Sequence, residues 1–253
     1  MKKALFYVVM FLFIQVVVTS LFSLANSLLG QSKLSTGMYI ASLSLFSLVV
    51  IVVFAWCRWT PVNRKYMRSR PWVVLIWSAL AALGAILPSL WLQDVLPELP
   101  NFIEDEFEDI LSNRWGYFAV GLFAPIAEEF VFRGAALRSL LNGTRKPWVA
   151  IILSALLFSL AHLNPAQMLH AFLVGLLLGW MYWRTGSIIP GIVYHWVNNT
   201  VAYVGENLLP GQTDHLSDLF GGNQQSMMLS ILFSLCIFVP AIYQLHLNMR
   251  KVE

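Results

Sequence analysis

Residues 124–134 read Ala124-Pro125-Ile126-Ala127-Glu128-Glu129-Phe130-Val131-Phe132-Arg133-Gly134, two adjacent glutamates and an arginine inside an apolar run. The preceding residues 117–123 carry no charge at all. The stretch therefore reads as the middle of a membrane-crossing helix over 117–141. A charged side chain near the bilayer centre costs about 2.5–3.5 kcal/mol on insertion scales, so three within six residues point to a role. On a helix Glu129 and Arg133 stand four apart on one face, acid before base, the favoured order for an ion pair. Glu128 projects about 100° away from Glu129 and has no charged partner on its own helix. The expected division is a supporting Glu129–Arg133 pair and a Glu128 that faces whatever the site handles. The competing reading is one structural ion-pair network between spans.

The rest of the chain fits a membrane setting. It is 58% hydrophobic and 11% charged, with mean hydropathy +0.69, outside the range of soluble domains. We expect an all-α polytopic bundle of about eight spans, at 4–29, 38–57, 72–91, 117–141, 148–163, 166–183, 187–208 and 226–247. The first is read as a retained span, too long for a signal peptide's apolar core. Asn164-Pro165 marks a tight reversal, Asn as cap and Pro in the first turn that follows. Gly175 and Gly179 form a small-residue face suited to close helix approach. Residues 94–114 are either an amphipathic helix or a solvated acidic connector. Arg58, Arg64, Lys65, Arg68 and Arg70 make the most basic connection, which places it in the cytoplasm. With the N-terminus inside, eight spans return the C-terminus inside. Of the 16 basic residues only Lys33 and Arg114 then fall outside. One integral-membrane domain over 1–253 is expected, with a catalytic core at 117–203 between N-terminal spans 4–91 and the C-terminal span 226–247.

Two further polar groups sit in spans. Phe158-Ser159-Leu160-Ala161-His162 places a ring one turn before an imidazole, and His195-Trp196-Val197-Asn198-Asn199 puts His195 and Asn199 on one face. Singly, such residues often just bond a neighbouring helix. Together with Glu128 they supply a carboxylate, two imidazoles and a carboxamide, the parts for hydrolysing an amide: a base for water, an imidazole to hold it or protonate the leaving amine, and donors for the oxyanion. The same Glu128, His162 and His195 are acceptable zinc ligands, with Asn199 or Glu129 behind them and water in the open position. No His-Glu-x-x-His is present.

Glu128-Glu129-x-x-x-Arg133, Phe158-x-x-x-His162 and His195-x-x-x-Asn199 resemble, in order, the three motifs of the CPBP or Abi family of intramembrane proteases, which includes CAAX prenyl endopeptidases and bacteriocin-processing enzymes. The resemblance covers about 117–203. It implies an eight-helix protease cleaving a membrane-associated peptide or protein, of CAAX or bacteriocin/pheromone type. It also implies that Glu128 activates water with His162, that His195 and Asn199 stabilise the oxyanion, and that Glu129, Arg133 and Phe158 support the site. Zinc-dependent and metal-free mechanisms both stay open.

Other residues receive blander readings. His170 is expected to make a structural hydrogen bond, His215 and His246 are assigned nothing, and Cys57 and Cys236 are free. A bacterial inner membrane is the expected location, without a nucleic-acid partner. Two other function classes remain: a non-catalytic scaffold or bacteriocin-immunity protein, and a carrier, disfavoured because the polar groups cluster in one half and no inverted repeat is visible.

Overall fold

The computed structural model describes residues 1–61, 65–97, 99–209 and 216–251. Arg64, Glu98, Asp214 and His215 lie outside the described residues. Among those described the secondary structure is helical, with no strand. Besides the single turns Lys65–Arg68 and Leu216–Leu219, the helices in chain order are α1 Lys2–Leu28, α2 Thr36–Trp56, α3 Trp72–Val95, α4 Glu104–Ser112, a composite run α5 at 117–144, α6 Pro147–Ala161, α7 Pro165–Thr185, α8 Ile189–Leu208 and α9 Gln224–Asn248.

Five of these, α1, α2, α3, α7 and α9, are long and apolar enough to cross a membrane. Their outer faces agree: Leu5, Phe6, Val9 and Phe13 on α1, and Leu229, Leu232 and Phe233 on α9, are large apolar side chains left exposed. Apolar surface of that extent needs lipid or a partner to cover it. The chain is an integral membrane protein. The other three expected spans depart from the simple pattern for physical reasons. At 15 residues, α6 rises only about 22 Å, short of a hydrocarbon core of about 30 Å. In α8 the polar residues of the site dilute the apolar run, and α5 is interrupted by changes of helical type.

Two apolar clusters organise the packing. Val8, Phe11, Ile14 and Val18 of α1 meet Phe46, Val50 and Phe54 of α2, Val131, Phe132 and Ala135 of α5, and Ile151 and Phe158 of α6. Val74 and Ala81 of α3 meet Val174, Leu178 and Met181 of α7, Tyr194 of α8, and Ala241 and Leu245 of α9. α7 serves both clusters, since its Ala171 and Tyr182 belong to the first. Its Gly175 and Gly179 do allow close approach: a Cβ at Gly175 would lie 3.0 Å from Ala155 Cα, and one at Gly179 3.0 Å from Ile151 Cγ2, both on α6.

The reversal between α6 and α7 occurs where expected, by a different device. His162 closes α6, Leu163 takes a left-handed conformation with φ 53°, and Pro165 opens α7. Asn164 stands at the cap position without capping. Its amide instead donates to Asn101 Oδ1 at 2.8 Å and its oxygen accepts from Phe102 N at 3.1 Å, tying the turn to the segment before α4. The acidic segment is indeed a helix, α4, over its second half. Ile110 and Leu111 are buried, Ile110 packs with Ile40 of α2, and Asn207 of α8 donates to the Leu111 carbonyl at 2.7 Å.

Candidate active site

α5 carries the glutamates and is the least regular helix. Residues Tyr117–Phe123 and Glu129–Leu137 have the wider π-type hydrogen bonding, separated by the α-helical turn Ala124–Glu128. Pro125, at the start of that turn, has no N–H to donate, so the regular ladder is broken there. Widened turns loosen the carbonyls, and side chains of other elements donate to them. Asn199 Nδ2 donates to Val120 O at 3.0 Å, Ser154 Oγ to Phe132 O at 3.0 Å, and Thr60 Oγ1 to Phe130 O. π-type segments recur at functional sites. Here the second begins at Glu129.

Glu129 and Arg133 form the expected ion pair, Oε1 to NH1 at 2.6 Å, with side chains 0% and 1% exposed. The guanidinium also lies 4.3 Å over the Phe158 ring, and NH2 donates to Gly175 O at 3.4 Å. Burying two charges is tolerable only with such geometry, because each loses its hydration. Phe158 stands at the junction: its ring is 4.9 Å from the His162 ring and 5.8 Å from the His195 ring, edge-on in both cases. Aromatic edges and faces pack favourably in that arrangement.

Glu128 is set apart from this pair, as its helical position suggests. Its side chain is 19% exposed, and its Oε2 lies 3.6 Å from His195 Nε2. The other ring nitrogen of His195, Nδ1, faces Glu129 Oε1 at 3.4 Å, without the geometry of a hydrogen bond. His195 is therefore held between the two adjacent carboxylates. His162 Nδ1 is 2.9 Å from the Phe158 carbonyl. A carbonyl only accepts, so Nδ1 carries the proton and a neutral His162 presents Nε2 as an acceptor. Asn199 uses one amide hydrogen on Val120 O and keeps a second.

The structure thus brings Glu128, Glu129, Arg133, Phe158 and His195 into one connected group, with His162 packed edge-on against its Phe158. Among the described residues no three His, Cys, Asp or Glu side chains are gathered as an ion would require, so the proposed zinc ligands Glu128, His162 and His195 do not form a ready site. One participant, Gly191, escaped the sequence reading. Gly191 lies against Glu129: a Cβ there would sit 2.6 Å from Glu129 Oε2, so any larger residue would have to displace the buried carboxylate. His170 makes the structural contact expected of it, with Ser89 Oγ at 2.7 Å, and also lies within electrostatic reach of His162 and His195. No sequence signal marks Gly191, since a glycine after proline at a helix start looks ordinary.

No curated protein and no solved structure gives a significant match to the chain. A family model does, Rce1-like, described as type II CAAX prenyl endopeptidase Rce1-like, and it matches residues 110–201. That segment holds all three motifs and the whole of the connected group, and the family is one of proteases. Over residues 110–201 this chain is therefore similar to the Rce1-like family of type II CAAX prenyl endopeptidases.

Proposed function

We propose that the protein is an intramembrane endopeptidase that hydrolyses a peptide bond of a membrane-associated, CAAX-type substrate with water activated by Glu128. The observation that carries this is the asymmetry of the two glutamates. Glu129 is sealed in an ion pair with Arg133, whereas Glu128 is partly open beside His195 Nε2. Glu128 takes a proton from water while His162 Nε2 accepts the water's other hydrogen and orients it. The water oxygen bonds to the scissile carbonyl carbon, and the carbonyl oxygen becomes an oxyanion. His195 Nε2–H and the second Asn199 amide hydrogen stabilise that charge where it develops. The C–N bond then breaks, and the proton held by Glu128 passes to the leaving amine. Glu129 and Arg133 act through position: Glu129 flanks the Nδ1 side of His195, and Arg133 lies over the Phe158 ring.

Among the described residues the donors are not gathered around a metal position. Were zinc bound, Glu128, His162 and His195 are the residues that would hold it, and it would supply an activated water.

The test uses purified full-length protein in liposomes, a farnesylated peptide ending in a CAAX sequence, and the same peptide without the lipid. Products are identified by mass spectrometry, before and after chelation. We expect cleavage of the farnesylated peptide that survives chelation. Loss on chelation with recovery on adding zinc would replace the metal-free route by a zinc-dependent one. Cleavage of the unmodified peptide at equal rate would move the substrate class to plain peptides, such as bacteriocin or pheromone precursors. Cleavage of neither by folded protein would overturn the endopeptidase reading and leave a scaffold.

A further inference from the structure

Asn199 is not held by its own motif alone. Its Oδ1 accepts from Asn198 Nδ2 at 3.3 Å. The same Asn198 nitrogen lies 3.4 Å from His170 Nε2, and His170 Nδ1 lies 2.7 Å from Ser89 Oγ. A carboxamide nitrogen has two hydrogens, so Asn198 bridges Asn199 and His170 with one each. With Asn198 donating, His170 Nε2 accepts, and the proton of the neutral ring sits on Nδ1, facing Ser89. At the other end Asn199 Nδ2 donates to Val120 O at 3.0 Å, on the helix that bears Glu128. A chain of hydrogen bonds thus runs from α3 through α7 and α8 to α5, and every link has a defined direction.

We propose that His170 and Asn198, neither of them in the three motifs, are positioning residues that fix which way the Asn199 carboxamide faces. This rests on the endopeptidase reading above. The last torsion of an asparagine is broad and roughly two-fold, so nothing intrinsic distinguishes its two orientations. In the observed orientation Nδ2 faces the Val120 carbonyl and its remaining hydrogen serves an oxyanion. Turned over, Asn199 would set its own oxygen against the Val120 carbonyl and offer the oxyanion an acceptor. Asn198 prevents the turn because it engages Oδ1. His170 in turn holds Asn198, and Ser89 holds the tautomer of His170. Asn198 is 8% exposed, so few competing water contacts loosen the bridge.

The test compares His170→Ala, His170→Gln and Asn198→Asp in the full chain, with the farnesylated peptide. An aspartate at 198 has no hydrogens to donate and repels Asn199 Oδ1. A glutamine at 170 keeps one donor and one acceptor. We expect Asn198→Asp and His170→Ala to lower kcat about 10- to 100-fold with KM nearly unchanged, the scale of a small misplacement of a reacting group. His170→Gln should recover most of the rate. In protein labelled with 15N-asparagine, the Asn199 side-chain amide resonance, identified by its loss in Asn199→Asp, should move in His170→Gln less than in His170→Ala.

Wild-type kcat in both His170→Ala and Asn198→Asp would overturn the inference, as would an unmoved Asn199 resonance. If Glu128→Gln is inactive while these variants work normally, the positioning role alone fails. If folded wild type cleaves neither peptide, the endopeptidase reading fails, and the Asn199 resonance still decides whether the hydrogen-bond chain exists.

Discussion

Arg133 is 1% exposed, bonded to Glu129 and stacked on Phe158, so its removal strands a buried carboxylate. Arg133→Met should cost about 3–5 kcal/mol of stability, measured by unfolding in detergent, and Arg133→Lys should recover only part, because an ammonium lacks the planar fork and face. Wild-type stability in Arg133→Met would contradict the pairing. Gly191→Ala drives a Cβ to 2.6 Å from Glu129 Oε2 and should cost about 1–3 kcal/mol as overpacking does, with a parallel loss of cleavage as Glu129 shifts from His195. The Glu129–Arg133 contact was legible because i,i+4 spacing is local. The partner of Asn199 was not: Val120 offers a backbone carbonyl, which every residue has, from 79 positions away. Asn164 misled for a related reason. Its type suits a cap, but Asn101 and Phe102, brought alongside by the fold, offered its amide better partners.

At the level of elements, α5 decides how the site is built, and its widened turns rely on borrowed donors. Thr60 reaches the Phe130 carbonyl across Gly134, where a Cβ would run into the Thr60 side chain. Gly134→Ala should therefore destabilise by about 1–3 kcal/mol, read as a lower thermal midpoint in detergent, although alanine is the better helix former by about 1 kcal/mol. A raised midpoint would show that the contact with Thr60 is unimportant. Hydropathy located α1, α2, α3, α7 and α9 because their apolar runs are long. It could not foretell the π-type segments, whose composition is that of any membrane helix. It placed α6 to within two residues, because the expected run 148–163 stops at Asn164-Pro165 and the helix itself spans Pro147–Ala161.

For the whole molecule, the charge distribution supports a cytoplasmic N-terminus, and the two free cysteines provide a test in the native sequence. Cys57 is exposed just past α2, beside the basic connection, whereas Cys236 is exposed within α9. In sealed vesicles of known orientation, a membrane-impermeant maleimide should label Cys57 only from the cytoplasmic side and leave Cys236 unlabelled until detergent is added. Labelling of Cys57 from the other side would invert the orientation.

The central claim is that Glu128, not its buried neighbour, does the chemistry. The most direct measurement is kcat/KM of wild type and Glu128→Gln in liposomes with the farnesylated peptide, on samples with the same unfolding midpoint. We predict a loss of about 10²- to 10⁴-fold, the usual worth of a general base. Wild-type turnover by folded Glu128→Gln would contradict the account.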